Sequence, residues 1–328
     1  MAAIPTVRGP LDTGALGTTL MHEHIFIYTA EILDNYGAAW WDEEERVADA
    51  VAKLRELRSR GVDTIVDPTV VGLGRHIPRI QRVNAEVDIN IVVATGVYTY
   101  NDVPFFFHYR GPGTIMDGPE PMTEMFVADI RDGIAGTGVR AGLLKCCVEE
   151  AGMTTGVERV CRAVAAAHRE TGVPITVHTN ARAQTGRAAL ELFRSEGVDP
   201  TRVVLGHSGD SNDLDYLREL MDSGAIAGMD RFGIDVYNST ADRVATIAAL
   251  AREGYADRMV LSHDAACFMD YYPTPDVRDL VAAALPNWRY THIHDDVLPA
   301  LRAAGVDDAQ IRQMLADTPR RYFEAAGS

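Results

Sequence analysis

Short apolar or β-branched runs recur eight times along this chain, at 20–23, 63–69, 90–96, 141–148, 174–180, 202–209, 225–232 and 258–265. Their near-continuous hydrophobicity suits parallel strands buried on both faces rather than strands with one wet side. Most of the intervals carry an amphipathic helical pattern. In the first, Val47, Ala50, Val51, Leu54 and Leu57 recur at helical spacing and Gly61 follows as a stop. Gly172, Gly197, Gly224 and Gly254 occupy the same place before later runs, and two last helical segments are expected over 294–304 and 308–316. Strand, helix, glycine stop and strand, repeated around eight runs, predicts an α/β chain folded as a (β/α)8 TIM barrel.

No linker or low-complexity stretch divides these units, so residues 1–328 are read as a single domain, a size that such barrels tolerate. The formal charge of -16 opposes binding to phosphate backbones or anionic lipid, which argues against nucleic acid and membrane partners. With no secretory leader pattern and no apolar run long enough to span a bilayer, a cytoplasmic location is expected. Cys146, Cys147, Cys161 and Cys267 have neither zinc-knuckle spacing nor disulfide-scaffold density, and are read as reduced thiols. The longest irregular segment, from Tyr98 to about Pro121, is rich in aromatics, Gly and Pro and follows the third run. A loop of that length at the strand ends is expected to be functional.

His22-Glu23-His24 places two imidazoles on one face of a strand, because side chains alternate with period two. Lys145, His178, His207 and Asp264 each sit at or near the C-terminal end of a later run. In such barrels that end carries the chemistry. Imidazole and carboxylate donors suit zinc, cobalt, manganese or iron better than calcium. Lys145 cannot ligate a cation as an ammonium. Near cations and out of water its amine is favoured neutral, and a neutral amine takes up CO2 as a carbamate.

The motifs Met21-His22-Glu23-His24, 64–69 (TIVDPT), Gly96-Val97-Tyr98, Lys145, His178, Gly206-His207, Asp230-Arg231-Phe232-Gly233 and Ser262-His263-Asp264 resemble, over almost the whole chain, those of the phosphotriesterase-like lactonases of the amidohydrolase superfamily. The resemblance implies two divalent metal ions, zinc first. It assigns one to His22, His24 and Asp264 and the other to His178 and His207, with carbamylated Lys145 and a hydroxide between them. It further implies that Asp264 moves the proton of the attacking hydroxide, that Tyr98 borders the substrate and that Arg231 shapes the site. His263, beside Asp264 in the strand, either orients it from outside or packs away from it.

The segment between the seventh and eighth runs is largely consumed by a helix from about 241 to 253, so the seventh loop is short, as in lactonases of that family. Phe268, Met269, Tyr271 and Tyr272 of the eighth loop, with Phe105, Phe106 and Phe107 of the third, predict an apolar lining. At Ala265-Ala266-Cys267 the chain departs from the paired cysteines common in the family. The expected function is hydrolysis of a small lactone, N-acyl-homoserine lactones in the first place and hence quorum quenching, with weak phosphotriesterase (paraoxonase) activity. A γ- or δ-lactonase or carboxylesterase of a metabolic ester is the alternative, and a mononuclear deaminase or a silent binding barrel are less favoured. The resemblance also implies a homodimer.

Overall fold

The computed structural model describes residues 2–324. Eight parallel strands form its centre: β1 (Thr19–Leu20), β2 (Thr64–Asp67), β3 (Asn90–Gly96), β4 (Leu143–Val148), β5 (Ile175–Thr179), β6 (Val203–Gly206), β7 (Ile226–Met229) and β8 (Met259–Leu261). Seven of them fall inside one of the eight runs, and β1 shares only Leu20 with the first. The sheet runs in sequence order from β1 to β8, and the ring closes where the Met21 amide donates to the Leu261 carbonyl. The chain is a TIM barrel, as its pattern predicts.

The helices on the outside include α1 (Glu43–Ser59), α2 (Ile77–Ala85), α3 (Pro121–Arg131), α4 (Thr155–Thr171), α5 (Gly186–Ser195), α6 (Leu214–Asp222) and α7 (Thr240–Arg252). Val47, Ala50, Val51, Leu54 and Leu57 form the buried stripe of α1, whose start is capped by the Asp42 side chain on the Glu45 amide. The apolar core has two compartments, one between strands and helices and one inside the barrel. Alternation along β4 shows how they share a strand. Leu144 belongs to the outer compartment and Leu143 to the inner one, and Lys145, two residues above Leu143, rises on the inner face toward the strand ends. An N-terminal hairpin (Ala3–Thr6 with Gly9–Asp12) and buried Tyr322 and Phe323 close the opposite end.

Two elements differ from the expectations. The first run does not continue as one strand: beyond β1 the chain breaks and resumes as His24–Ile27, which pairs in parallel with Ala266–Met269. The eighth loop thus begins as a strand. The last helices also run on further, to Glu324. Helical turns widen at Ile293–Val297 and Gln313–Asp317, shortly before Pro299 and Pro319. A wider turn accommodates a residue that has no amide to donate, so neither proline ends its helix. Among the described residues no helix is long and apolar enough to cross a membrane, and Cys146, Cys147, Cys161 and Cys267 are all buried and free.

Candidate active site

The C-terminal ends of the strands bring His22, His24, Lys145, His178, His207 and Asp264 together at the floor of one cavity, which all of them but His207 line, and all but Asp264 are almost completely out of water. Nε2 of His22 and of His24 lie 3.5 and 3.3 Å from Oδ1 of Asp264, and Nζ of Lys145 lies 3.3 Å from Nε2 of His22. Nε2 of His207 lies 2.9 Å from Nδ1 of His178. Asp264, reaching His207 at 3.9 Å through Oδ2, stands between the two groups.

A second partner fixes which nitrogen of each ring faces the centre. Asp230 accepts from Nδ1 of His207 at 3.0 Å and of His22 at 3.2 Å, one on each oxygen. Thr69, whose hydroxyl donates to Asp67, accepts from Nδ1 of His24 at 2.7 Å. Glu149 takes Nε2 of His178 at 2.8 Å, so His178 alone turns its Nδ1 inward. The result is inward lone pairs, two of them facing each other across 2.9 Å. Such pairs repel unless a proton or a cation sits between them. Four imidazoles oriented by outer hydrogen bonds, one carboxylate and a buried amine without a carboxylate beside it therefore fit a pair of divalent metal ions.

Electrostatics points the same way at His22, Lys145 and His178, while His24 holds a proton that a metal ion would displace. Burial lowers the affinity of His22 and Lys145 for a proton and pushes His178 down to about 4. Burial also opposes charge on His24, but Asp264 and Asp67 more than offset it and raise this imidazole to about 9. Asp264, despite burial, is held well below the usual carboxylate range by His22, His207, His24 and Arg231. Arg231 donates to Asp264 at 3.0 Å and to Asp210 at 3.0 Å, and Asp210 in turn accepts from buried Arg243 at 2.6 Å. Although burial opposes its charge, the two carboxylates keep Arg231 above the ordinary guanidinium range. It orients Asp264 and passes no proton.

Two of the floor residues, His207 and Asp264, have left-handed backbones, with φ of 68° and 53°. A buried carboxylate pins each. Asp230 takes the amide of His207 at 2.7 Å, and glycine at 228 leaves the room, since a Cβ there would stand 2.3 Å from Oδ2 of Asp230. Glu23 takes the amides of His263 and Ala265 at 2.9 and 3.1 Å.

Above the floor, the Tyr98 hydroxyl lies 3.1 Å from Nδ1 of His178 and donates to Tyr100. Burial raises the Tyr98 pKa, so the hydroxyl keeps its proton. Arg231, Met269, Tyr271 and Tyr272 line the wall, joined by Ile234, Tyr237 and Trp288. Phe268 does not. It pairs in register with Phe26 and turns outward, stacked on Trp40 at 5.9 Å and edge-on to Trp41 at 5.3 Å. Nor do the third-loop phenylalanines line the cavity: Phe105 and Phe106 are exposed on the surface and Phe107 is buried in the core. His263 points away from the floor, with Nδ1 on Glu23 at 2.7 Å and Nε2 accepting from the Ile293 amide at 3.0 Å. Sequence reasoning assigned no role to Asp230, Glu149, Asp67, Thr69, Asp210 or Glu23. Glu149, an acidic residue just past a buried apolar run, and Asp230, an acid within one, carried the most legible signal.

The model of the Phosphotriesterase family matches residues 2–323. Over 327 residues the chain is 58% identical to a phosphotriesterase homology protein of Mycobacterium tuberculosis, covering 100% of this chain and 99% of the other. It is 36% identical over 322 residues to an aryldialkylphosphatase of Saccharolobus solfataricus, covering 98% and 99% of the two. A solved structure of the phosphotriesterase from Mycobacterium tuberculosis superposes with a TM-score of 0.96 at 58% identity, covering 98% of each chain. With that match along its length and this donor set at its strand ends, the chain belongs to the phosphotriesterase family, a family of metal-dependent hydrolases.

Proposed function

We propose that this chain is a lactonase that opens N-acyl-homoserine lactones, and thereby quenches the bacterial signals they carry, with a weak phosphotriesterase activity on paraoxon-like esters. One observation carries the reading: the cavity that holds the donor set is lined both by Arg231 and Tyr98 and by the apolar side chains of Ile27, Leu73, Ile234, Met269 and Trp288. A polar ring with an apolar tail matches that mixed lining. The cavity holds about 210 Å³. That volume suits a small head group, with the tail passing between the half-open Tyr100, Tyr237 and Tyr271.

When bound, two divalent ions, zinc before cobalt, manganese or iron, supply Lewis acidity for the carbonyl oxygen and for a water. His22, His24 and Asp264 would hold one, His178 and His207 the other, and Lys145 as a carbamate formed from CO2 would stand between them. Tyr98, turning its proton from Tyr100, donates a hydrogen bond to the ring. Asp264 takes the proton of the water as it adds to the carbonyl, and returns it to the alkoxide when the ring C–O bond breaks. The product is the open hydroxy acid. The kinship with an aryldialkylphosphatase supports the phosphotriesterase side activity, since a phosphoryl oxygen can take the place of the carbonyl oxygen.

A panel of lactones assayed by acid release, with paraoxon alongside, tests this reading. Long-acyl homoserine lactones are expected to exceed paraoxon in kcat/KM, and a chain faster on paraoxon than on every lactone is not a lactonase. A γ- or δ-lactonase would instead favour unacylated rings in the same panel. We also propose a homodimer, which sedimentation at micromolar concentration tests.

A further inference from the structure

We infer that Glu23 is a positioning residue for Asp264, so that His22-Glu23-His24 supplies two floor imidazoles and, between them, the clamp that sets the carboxylate from the far end of the chain. Glu23 is fully buried, and the three groups hydrogen-bonded to it are all donors. One oxygen accepts from the amide and Nδ1 of His263 at 2.9 and 2.7 Å, and the other from the amide of Ala265 at 3.1 Å. His263 has no second proton to offer or acceptor to lend there, because its Nε2 already receives the Ile293 amide.

These contacts flank Asp264 on both sides. Its own amide donates to the His22 carbonyl at 3.1 Å, and the Trp288 indole bridges the carbonyls of His263 and Asp264 at 3.2 Å each. The Ala265 carbonyl receives the amide of His24 at 2.8 Å. The backbone groups on either side of Asp264 are thus committed, and its φ of 53° is a conformation a non-glycine residue keeps only when its surroundings impose it. Glu23 is the side chain that ties that set together, accepting on both sides of Asp264. Removing one of its oxygens frees the peptide between Asp264 and Ala265 to rotate and carries the Asp264 carboxylate away from His22 and His24.

The inference rests on metal binding at these residues and not on the choice of substrate, so its test uses no turnover. Full-length Glu23→Gln, stripped and titrated with Co2+, is read by visible absorption and chelator competition. One of the two ions is expected to bind about 10- to 100-fold more weakly with altered bands, the usual effect of disturbing a group that orients a ligand. The second ion is expected to bind as in the parent chain. Leu54→Ala, in the buried stripe of α1, serves as a comparison of lowered melting temperature far from the site. Should Glu23→Gln not fold, Glu23→Asp, which keeps both oxygens one methylene shorter, is read in the same way. Unchanged affinity and bands for both ions in the folded variant, or an equal loss in Leu54→Ala, would overturn the assignment.

Discussion

Truncating Phe268 should cost stability and spare the choice of substrate, while truncating its neighbour Met269 should do the reverse. The strand Ala266–Met269 pairs Phe268 with Phe26 and Met269 with Ile27. Ile27 and Met269 face the cavity, whereas Phe26 and Phe268 meet Trp41 at 5.6 and 5.3 Å on the other side. The Arg46 guanidinium caps the Phe268 ring at 4.6 Å. A phenylalanine buried in such company loses about 3–5 kcal/mol on truncation to alanine. At about 2 °C per kcal/mol for a chain of this size, the melting temperature of Phe268→Ala should fall by roughly 6–10 °C. Its acyl-length profile should stay that of the parent. A fully buried methylene adds about 0.8 kcal/mol, or roughly fourfold in kcat/KM. The exposed mouth reduces this to about twofold per methylene. Met269→Ala should flatten that slope with a small change in melting temperature. Kinetics on butanoyl to dodecanoyl homoserine lactones beside thermal unfolding measure both. A Phe268→Ala enzyme that melts like the parent and loses its length dependence would refute the facing assigned to this strand.

Lys145→Ala should lose metal and nearly all activity, with partial recovery of metal in Lys145→Glu; two metals per chain in the alanine variant by elemental analysis would exclude a bridging role. In Asp230→Asn an amide N–H meets one of the two imidazole donors that Asp230 accepts. An unmade buried hydrogen bond of about 1–3 kcal/mol predicts a loss of roughly 10- to 100-fold in metal affinity, read by chelator competition. Burial, with Arg289 adding to it, pushes His263 down to about 3 from an ordinary 6.5. The unfolded chain therefore binds this proton first, so the contribution of His263 is complete above pH 6.5 and is lost as the pH falls toward 3. At pH 5 the loss is about 2 kcal/mol, and the difference in melting temperature between pH 7 and pH 5 should shrink in His263→Asn.

The barrel was legible because strands buried on both faces must be apolar throughout, and the floor residues because polar groups at the end of such runs have little structural reason to be there. What escaped was set by contacts across the chain. Ala266–Met269 holds small, apolar and sulfur side chains without alternation, so its strand character comes from its partner at His24–Ile27. Without that register the inward and outward residues could not be separated, and Phe268 was placed on the wrong face. Phe105 and Phe107 are chemically identical and one residue apart from a shared neighbour, yet one is exposed and the other buried. The orienting carboxylates Asp230 and Glu149 are ordinary loop acids until the folded strand ends bring an imidazole nitrogen to each.

Glu23 and His263 meet across 240 positions of chain, and the ring closes only where the first barrel strand finds the last. That separation would place metal capture late in biosynthesis. A nascent chain still short of residue 264 has four of its imidazoles but neither the carboxylate between them nor the Trp288 indole that braces it. Ordering so distant a contact is among the slowest steps of folding, because the loop entropy is spent before the contact returns anything. Ions would therefore be received by a completed barrel and, once seated, would act as a staple between its first and last strands, so that unfolding there would first have to release them.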